Sequence, residues 1–233
     1  MNLKSTARAA VDAHDETRRQ LLAAAGEVFA AAGFHHATVR EICRLARANI
    51  AAVNYHFGDK EALYGEVLRY AQQQAFEKYP PLLGVTADSP PEEKLRAFIH
   101  SFLLRIFDRG PVAWFGKIMV REMIEPTGAL DSLLKERIRP MADQLLGTVA
   151  EILDCPPTDK KVRLCSFSVV SQCVFYHHCR TVISRLFPEQ ALDAEAAEQL
   201  ADHITRFSLA AMKQLPEPKP AKRRLRQTAR GRH

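Results

Sequence analysis

A hydrophobic repeat of helical period runs along most of the chain, and near the start it is cut into unusually short pieces. Thr38-Val39-Arg40-Glu41 forms a capping box, in which the Thr hydroxyl accepts a free backbone N–H and Glu41 reaches back to the cap residue. Val39, Ile42 and Ala46 then recur on one face. The pattern stops at Arg47-Ala48-Asn49, and Asn49 is a good N-cap for the next helix. There Ile50, Val53 and Phe57, at i, i+3 and i+7, are the expected buried stripe. Gly58-Asp59 ends that helix and caps a longer one over residues 60–78. Upstream, Leu21, Ala25, Val28, Phe29 and Ala32 share a face of a helix expected over 15–32, with Gly33 in the left-handed position past its end. Helices this short are marginal alone, so they must be held in a compact trihelical unit.

Two short helices joined by a three-residue turn, behind a supporting helix, fit a helix-turn-helix spanning about Thr38 to Phe57. Such a unit binds DNA because its core presents one helix to the major groove. With Ile50, Val53 and Phe57 inward, the outward set is Ala51, Ala52, Asn54, Tyr55 and His56. The two alanines let the backbone approach bases and touch thymine methyls. Asn54, Tyr55 and His56 suit phosphates or base edges. Arg40 and Arg44 lie outward on the preceding helix, and Lys60 sits at a helix N-terminus where an anion is favoured. Solvated positions on a small helical domain would show the same periodicity.

Beyond Tyr79-Pro80-Pro81, a loop or linker runs through Ser89-Pro90-Pro91. Helices are expected over 92–107, 111–124, 127–153 (kinked at Pro140), 158–185 and 193–215. No strand signal competes, so the fold class is all-α.

Charge alone does not identify a nucleic-acid surface. The formal net charge is +6, but residues 216–233 carry seven Lys and Arg against Glu217 and account for all of it. That Pro- then Arg-rich tail is expected to be disordered. The first nineteen residues lack an apolar leader and no run is long enough to span a bilayer, which predicts a cytoplasmic protein without membrane association. The five cysteines include no CxxC pair. Cys173, His177, His178 and Cys179 read as packed helix residues, and neither a metal nor a cofactor is expected. No P-loop, dinucleotide glycine motif or GxSxG elbow points to an enzyme. A helical adaptor that binds only protein is the rival class, with a helical enzyme built around Glu122 the lesser alternative.

ATVREICRLARANIAAVNYHFGDKEALYGEVL resembles the DNA-binding region of the TetR family of bacterial regulators, over about Arg18 to Leu68. The string from Asn49 to Leu63 is its most specific part, and it is most similar to the CecR-like subgroup. Trp114 to Thr127 resembles the start of that subgroup's C-terminal domain. Arg137-Ile138-Arg139-Pro140, and Ser171-Gln172 with Tyr176 and Arg180, are similar in kind. Two positions depart from the family: Arg47 stands where many members have Gly, and Asn54 where many have a phosphate-contacting Tyr. A non-Gly residue in a left-handed turn costs about 1 kcal/mol, which a phosphate contact by Arg47 would offset.

The resemblance implies an arm (1–14), a helix-turn-helix DNA-binding domain (15–62), a helical ligand-binding and dimerisation domain (63–215) and the basic tail (216–233). It implies a homodimer on a pseudo-palindromic operator, most simply a repressor released by a small-molecule effector, with efflux or drug-sensitivity genes as targets. The helix over 158–185 is apolar nearly all round and must be covered on several faces. Val170 and Val174 on it, with Ala197, Ala201, Ile204, Ser208 and Ala211 on the last helix, are the expected dimer interface, unless both helices are central core. Trp114, Ile118, Arg121 and Glu122 share one face of their helix, and Phe115, Met119 and Met123 another. With Phe102, Phe175, Tyr176 and His178 opposite, they suit a moderately sized apolar effector.

Overall fold

A computed structural model describes residues 3–215, and the tail lies outside them. Every regular element among the described residues is helical. They are α1 (Leu3–His36), α2 (Val39–Ala46), α3 (Ile50–Phe57), α4 (Lys60–Lys78), α5 (Pro91–Phe107), α6 (Pro111–Glu122) and α7 (Gly128–Leu133), then α8 (Arg139–Leu153), α9 (Lys160–His178), α10 (Arg180–Leu186) and α11 (Ala194–Gln214).

Local chemistry explains most boundaries. Thr38 Oγ1 accepts the Glu41 N–H at 3.2 Å, Asn49 Oδ1 the Ala52 N–H at 2.8 Å, and Asp59 Oδ1 the Ala62 N–H at 2.7 Å. Three successive helices therefore start on a side-chain cap. Gly33 has φ 75°, ψ 176°, a region costly for any residue with a Cβ, and it kinks α1 as its sequence position predicts.

Three boundaries differ from expectation. Residues 3–14, expected as an arm, continue α1. The helix expected over 127–153 is broken by a π-helical turn, Leu134–Ile138, in which the Arg139 N–H reaches back to Leu134 O. Pro140 has no N–H to donate, so it sits in the first turn of α8 rather than kinking a continuous helix. The helix expected over 158–185 divides at Cys179 (φ −92°, ψ 9°), where Arg180 donates to Leu192 O at 3.1 Å and ties α10 to the loop before α11.

Two cores form. The first joins α1–α4 through Leu21, Phe29, Ile42, Val53, Leu63, Tyr64 and Val67, and it takes in Trp114 and Ile118 of α6. It therefore crosses the boundary expected after residue 62. The second joins α5, α8, α9 and α11 through Leu95, Ile99, Leu103, Val149, Val169, Ala197, Ala201 and Ile204. Ion pairs fasten its periphery, Lys94 to Glu151 at 2.6 Å and Arg96 to Asp202 at 2.6 Å. No helix among the described residues is long and apolar enough to cross a membrane.

Candidate functional site

The α2–turn–α3 unit is held from below. Arg47 is left-handed (φ 53°, ψ 36°), as the turn requires, and the Ala48 N–H closes onto Cys43 O at 2.9 Å. Arg47→Gly is therefore expected to stabilise the protein by about 0.5–1 kcal/mol, a rise of ~2–3 °C in melting temperature. An unchanged or lower melting temperature would mean the Arg side chain offsets the backbone cost.

The outward face of α3 is rotated from the expected one. Val53 and Phe57 are buried, but Ile50 is 50% exposed and joins Ala51, Asn54 and Tyr55 on the open side. Ala52 and His56 turn partly inward. The inward positions are thus Ala52, Val53, His56 and Phe57, at i, i+1, i+4 and i+5, and the packed face is turned away from Ile50. His56 lies 4.4 Å from the His14 ring, and its buried Nδ1 has no hydrogen-bond partner. Burial, then the charges of His14 and Arg18, hold its pKa below the usual histidine range. Tyr55 is 75% exposed. Thr38, Arg40, Arg44, Arg47 and Asn49 are exposed around it. Lys60 is less free, because its Nζ lies 4.5 Å above the Phe34 ring and burial lowers its pKa.

Helix α6 lies between this head and the body. Trp114 packs on Gly26 of α1, Ile118 is in the first core, and Arg121 donates to Ala31 O near the Gly33 kink. Glu122 is 1% exposed and accepts from Tyr64 Oη at 2.5 Å, from the Thr127 N–H at 2.9 Å and from Thr127 Oγ1 at 3.0 Å. These donors satisfy a carboxylate that would otherwise be prohibitive to bury. Burial and this bond push the Tyr64 hydroxyl well above its ordinary pKa.

The opposite face of α6 lines a cavity of about 190 Å³ between α4, α5, α8 and α9. Phe115, Gly116, Met119, Val120 and Met123 form one wall, with Phe76, Phe102, Met141, Val170 and Val174 facing them. The polar lining is Arg105, His177 and His178. Burial, then the charges of His178 and Arg180, lower the His177 pKa.

Residues 91–212 match the family model for the C-terminal domain of the HTH-type transcriptional dual regulator CecR, and residues 21–67 match that of the tetR family of bacterial regulatory proteins. The chain belongs to the TetR family. It is a CecR-like transcriptional regulator rather than an enzyme. It is 26% identical over 202 residues to the dual regulator CecR of Shigella flexneri, covering 82% of this chain and 89% of that one. It is 27% identical over 207 residues to the repressor NicS of Pseudomonas putida, covering 86% and 93%. The fold is shared with AibR, solved in complex with isovaleryl coenzyme A and operator DNA (TM-score 0.63, 20% identity, 82% and 97% covered). It is shared too with the TetR-family regulator PfmR of Thermus thermophilus (TM-score 0.57, 24% identity, 81% and 94% covered).

Set on this TetR-family frame, the expected effector residues divide in two. Phe102, Phe115, Met119, Met123 and His178 line the cavity. Trp114, Ile118, Arg121 and Glu122 do not, since that side of α6 serves the head. Phe175 is exposed, and Tyr176 packs beside the second core. Val170 and Val174, expected at a dimer interface, line the cavity instead. Ala197, Ala201 and Ile204 are buried in the chain's own core and Ser208 is buried beside them, because α11 packs along α5 with that face. Of that set only Ala211 is exposed. Arg105 escapes sequence reasoning, and His177 reads there only as a packed helix residue. The one available signal was a basic residue at i+3 from Phe102 on an apolar helix. Among the described residues no group of His, Cys, Asp or Glu is placed to hold a metal ion.

Proposed function

We propose that this regulator is a homodimeric repressor that holds a pseudo-palindromic operator with two copies of α3 and is released when a small molecule enters the α6 cavity. The observation that carries this reading is the double use of α6. One face docks on α1 and α4 through Trp114, Arg121 and Glu122, and the other walls the cavity through Phe115 and Met119. A ligand that displaces α6 moves the head with it. It shifts the population to a head spacing that no longer matches two half-sites about one DNA turn apart. AibR, which shares the fold, is known with both a ligand and operator DNA bound, which supports placing both events on this frame.

At the DNA, Ile50, Ala51, Asn54 and Tyr55 face the groove, with Ile50 and Ala51 suited to thymine methyls. Thr38, Arg40, Arg44, Arg47 and Asn49 approach the phosphates, and Lys60 follows if it leaves Phe34. The second copy covers the outer faces of α9 and α11, where Phe167 and Phe207 stand exposed. Genes of efflux or drug sensitivity fit the CecR-like relationship as targets.

Gel-shift titration with the protein's own upstream DNA tests the reading. Tyr55→Ala is expected to weaken operator binding by about ten- to a hundredfold with an unchanged melting temperature, since the ring is almost free of the core. A wild-type protein that gives no shift surviving competitor DNA would favour an adaptor that binds only protein.

A further inference from the structure

The cavity has an electrostatic character that its apolar lining conceals. Arg105 is buried, 6% exposed, yet its contacts are all with uncharged groups: Tyr79 O at 2.9 Å, the Ser101 hydroxyl, and the Phe76 and Phe102 rings, 4.6 and 5.8 Å from the guanidinium carbon. Its Nη2 reaches the Met141 thioether at 3.9 Å, a weak acceptor. Among the described residues no carboxylate lies close enough to influence it, and no acid lines the cavity. A buried cation without a counter-ion is costly, and an anion that pairs with it removes an uncompensated buried charge. Burial lowers its pKa only to about 10, so the charge persists at neutral pH.

Resting on the effector reading above, we infer that the ligand of this cavity is a compact organic anion, a small carboxylate on an aromatic or branched apolar body, whose charged end pairs with Arg105. The Nη1 side of the guanidinium is fixed by Tyr79 O and Ser101, which leaves the Nη2 side for the anion. The Phe76 and Phe102 rings hold the plane of the fork, and Phe115, Met119 and Val174 surround the body of the ligand. A volume of about 190 Å³ is below the ~300 Å³ at which drug-sized pockets begin, so the body is small. Anchoring the end of α4 through Tyr79 O is the structural duty of the same guanidinium, and the two roles make different predictions.

Calorimetric titration of the full-length protein separates them, using phenylacetate, cyclohexanecarboxylate and pivalate against their primary amides. At least one acid is expected to bind about tenfold or more tightly than its amide, since a charge-assisted bond far outweighs a neutral one. Arg105→Met should erase that ratio and Arg105→Lys should restore part of it. A purely structural Arg105 would change melting temperature and leave the acid-to-amide ratio alone. Should Arg105→Met fail to fold, Val174→Phe, which fills the cavity, must abolish acid binding. Amides that bind as well as acids, a ratio that survives Arg105→Met, or no binding by any acid overturns the inference. If the amides also lift the protein off its operator, the effector cavity stands without the anion. If acids bind through Arg105 but leave operator affinity unchanged, the anion site stands and the effector reading falls.

Discussion

Gly26→Ala is expected to lower the stability of the protein by about 2 kcal/mol, although Ala is the better helix former by up to ~1 kcal/mol. A methyl group at this position would overlap the Trp114 ring at Cε3 and Cζ3 and lie 2.7 Å from Cη2. Trp114 is buried in the first core, with the Tyr70 ring centroid 6.5 Å from its own. Overpacking at such a site forces backbone or rotamer shifts. For a chain of this length the melting temperature should fall by ~4–8 °C. Trp114→Leu should also destabilise, by about 2–3 kcal/mol, through the space it opens. The double variant should lose less than the two single losses together, because the leucine vacates the volume that the methyl needs. Additive losses would show that the Gly26–Trp114 approach does not set the packing. Since this contact docks α1 on α6, Gly26→Ala should also blunt the effect of any cavity ligand on operator affinity.

The parts of this molecule governed by local chemistry were legible in its sequence. Thr38, Asn49 and Asp59 announce helix starts, Gly33 and Gly58 announce breaks, and α4 occupies the range its signals predict. Where a face meets a distant partner, the sequence was ambiguous. Ile50 is as apolar as Val53, and only the placement of α1, α2 and α4 around α3 decides that Val53 goes in and Ile50 stays out. The two faces of α6 were visible as faces, but not which one served the head and which the cavity. The α11 stripe of Ala197, Ala201 and Ile204 reads equally as a core face or a subunit face, and α5 takes it. Arg105 was hidden for the opposite reason: a charged residue on an apolar helix reads as a surface residue until its neighbours close over it.

Phe167→Glu combined with Phe207→Glu is expected to convert the regulator to monomers and to weaken operator binding by about a hundredfold or more, the factor that bivalency supplies. Both rings are 60% exposed in the single chain, a large apolar surface for a helical domain to leave in water. They lie on neighbouring helices, since Gln172 Nε2 of α9 donates to Ser208 Oγ of α11 at 3.2 Å. Leu164 and Phe175 extend the exposed surface along α9, and Ala211 and Leu215 extend it along α11. In the homodimer proposed above, two copies paired through these helices would make a four-helix bundle, whose symmetry would set two heads on one side for a pseudo-palindrome. Light scattering reads the mass, gel shift the affinity and circular dichroism the fold, which should survive because neither ring belongs to a core. Ala201→Leu is the contrasting variant: it crowds the chain's own core and should lower the melting temperature by several degrees while the protein remains dimeric. A double glutamate variant that stays dimeric, or monomers that bind the operator as tightly as wild type, would place the subunit contact elsewhere. Monomerisation by Ala201→Leu at unchanged stability would return it to the small-residue stripe of α11.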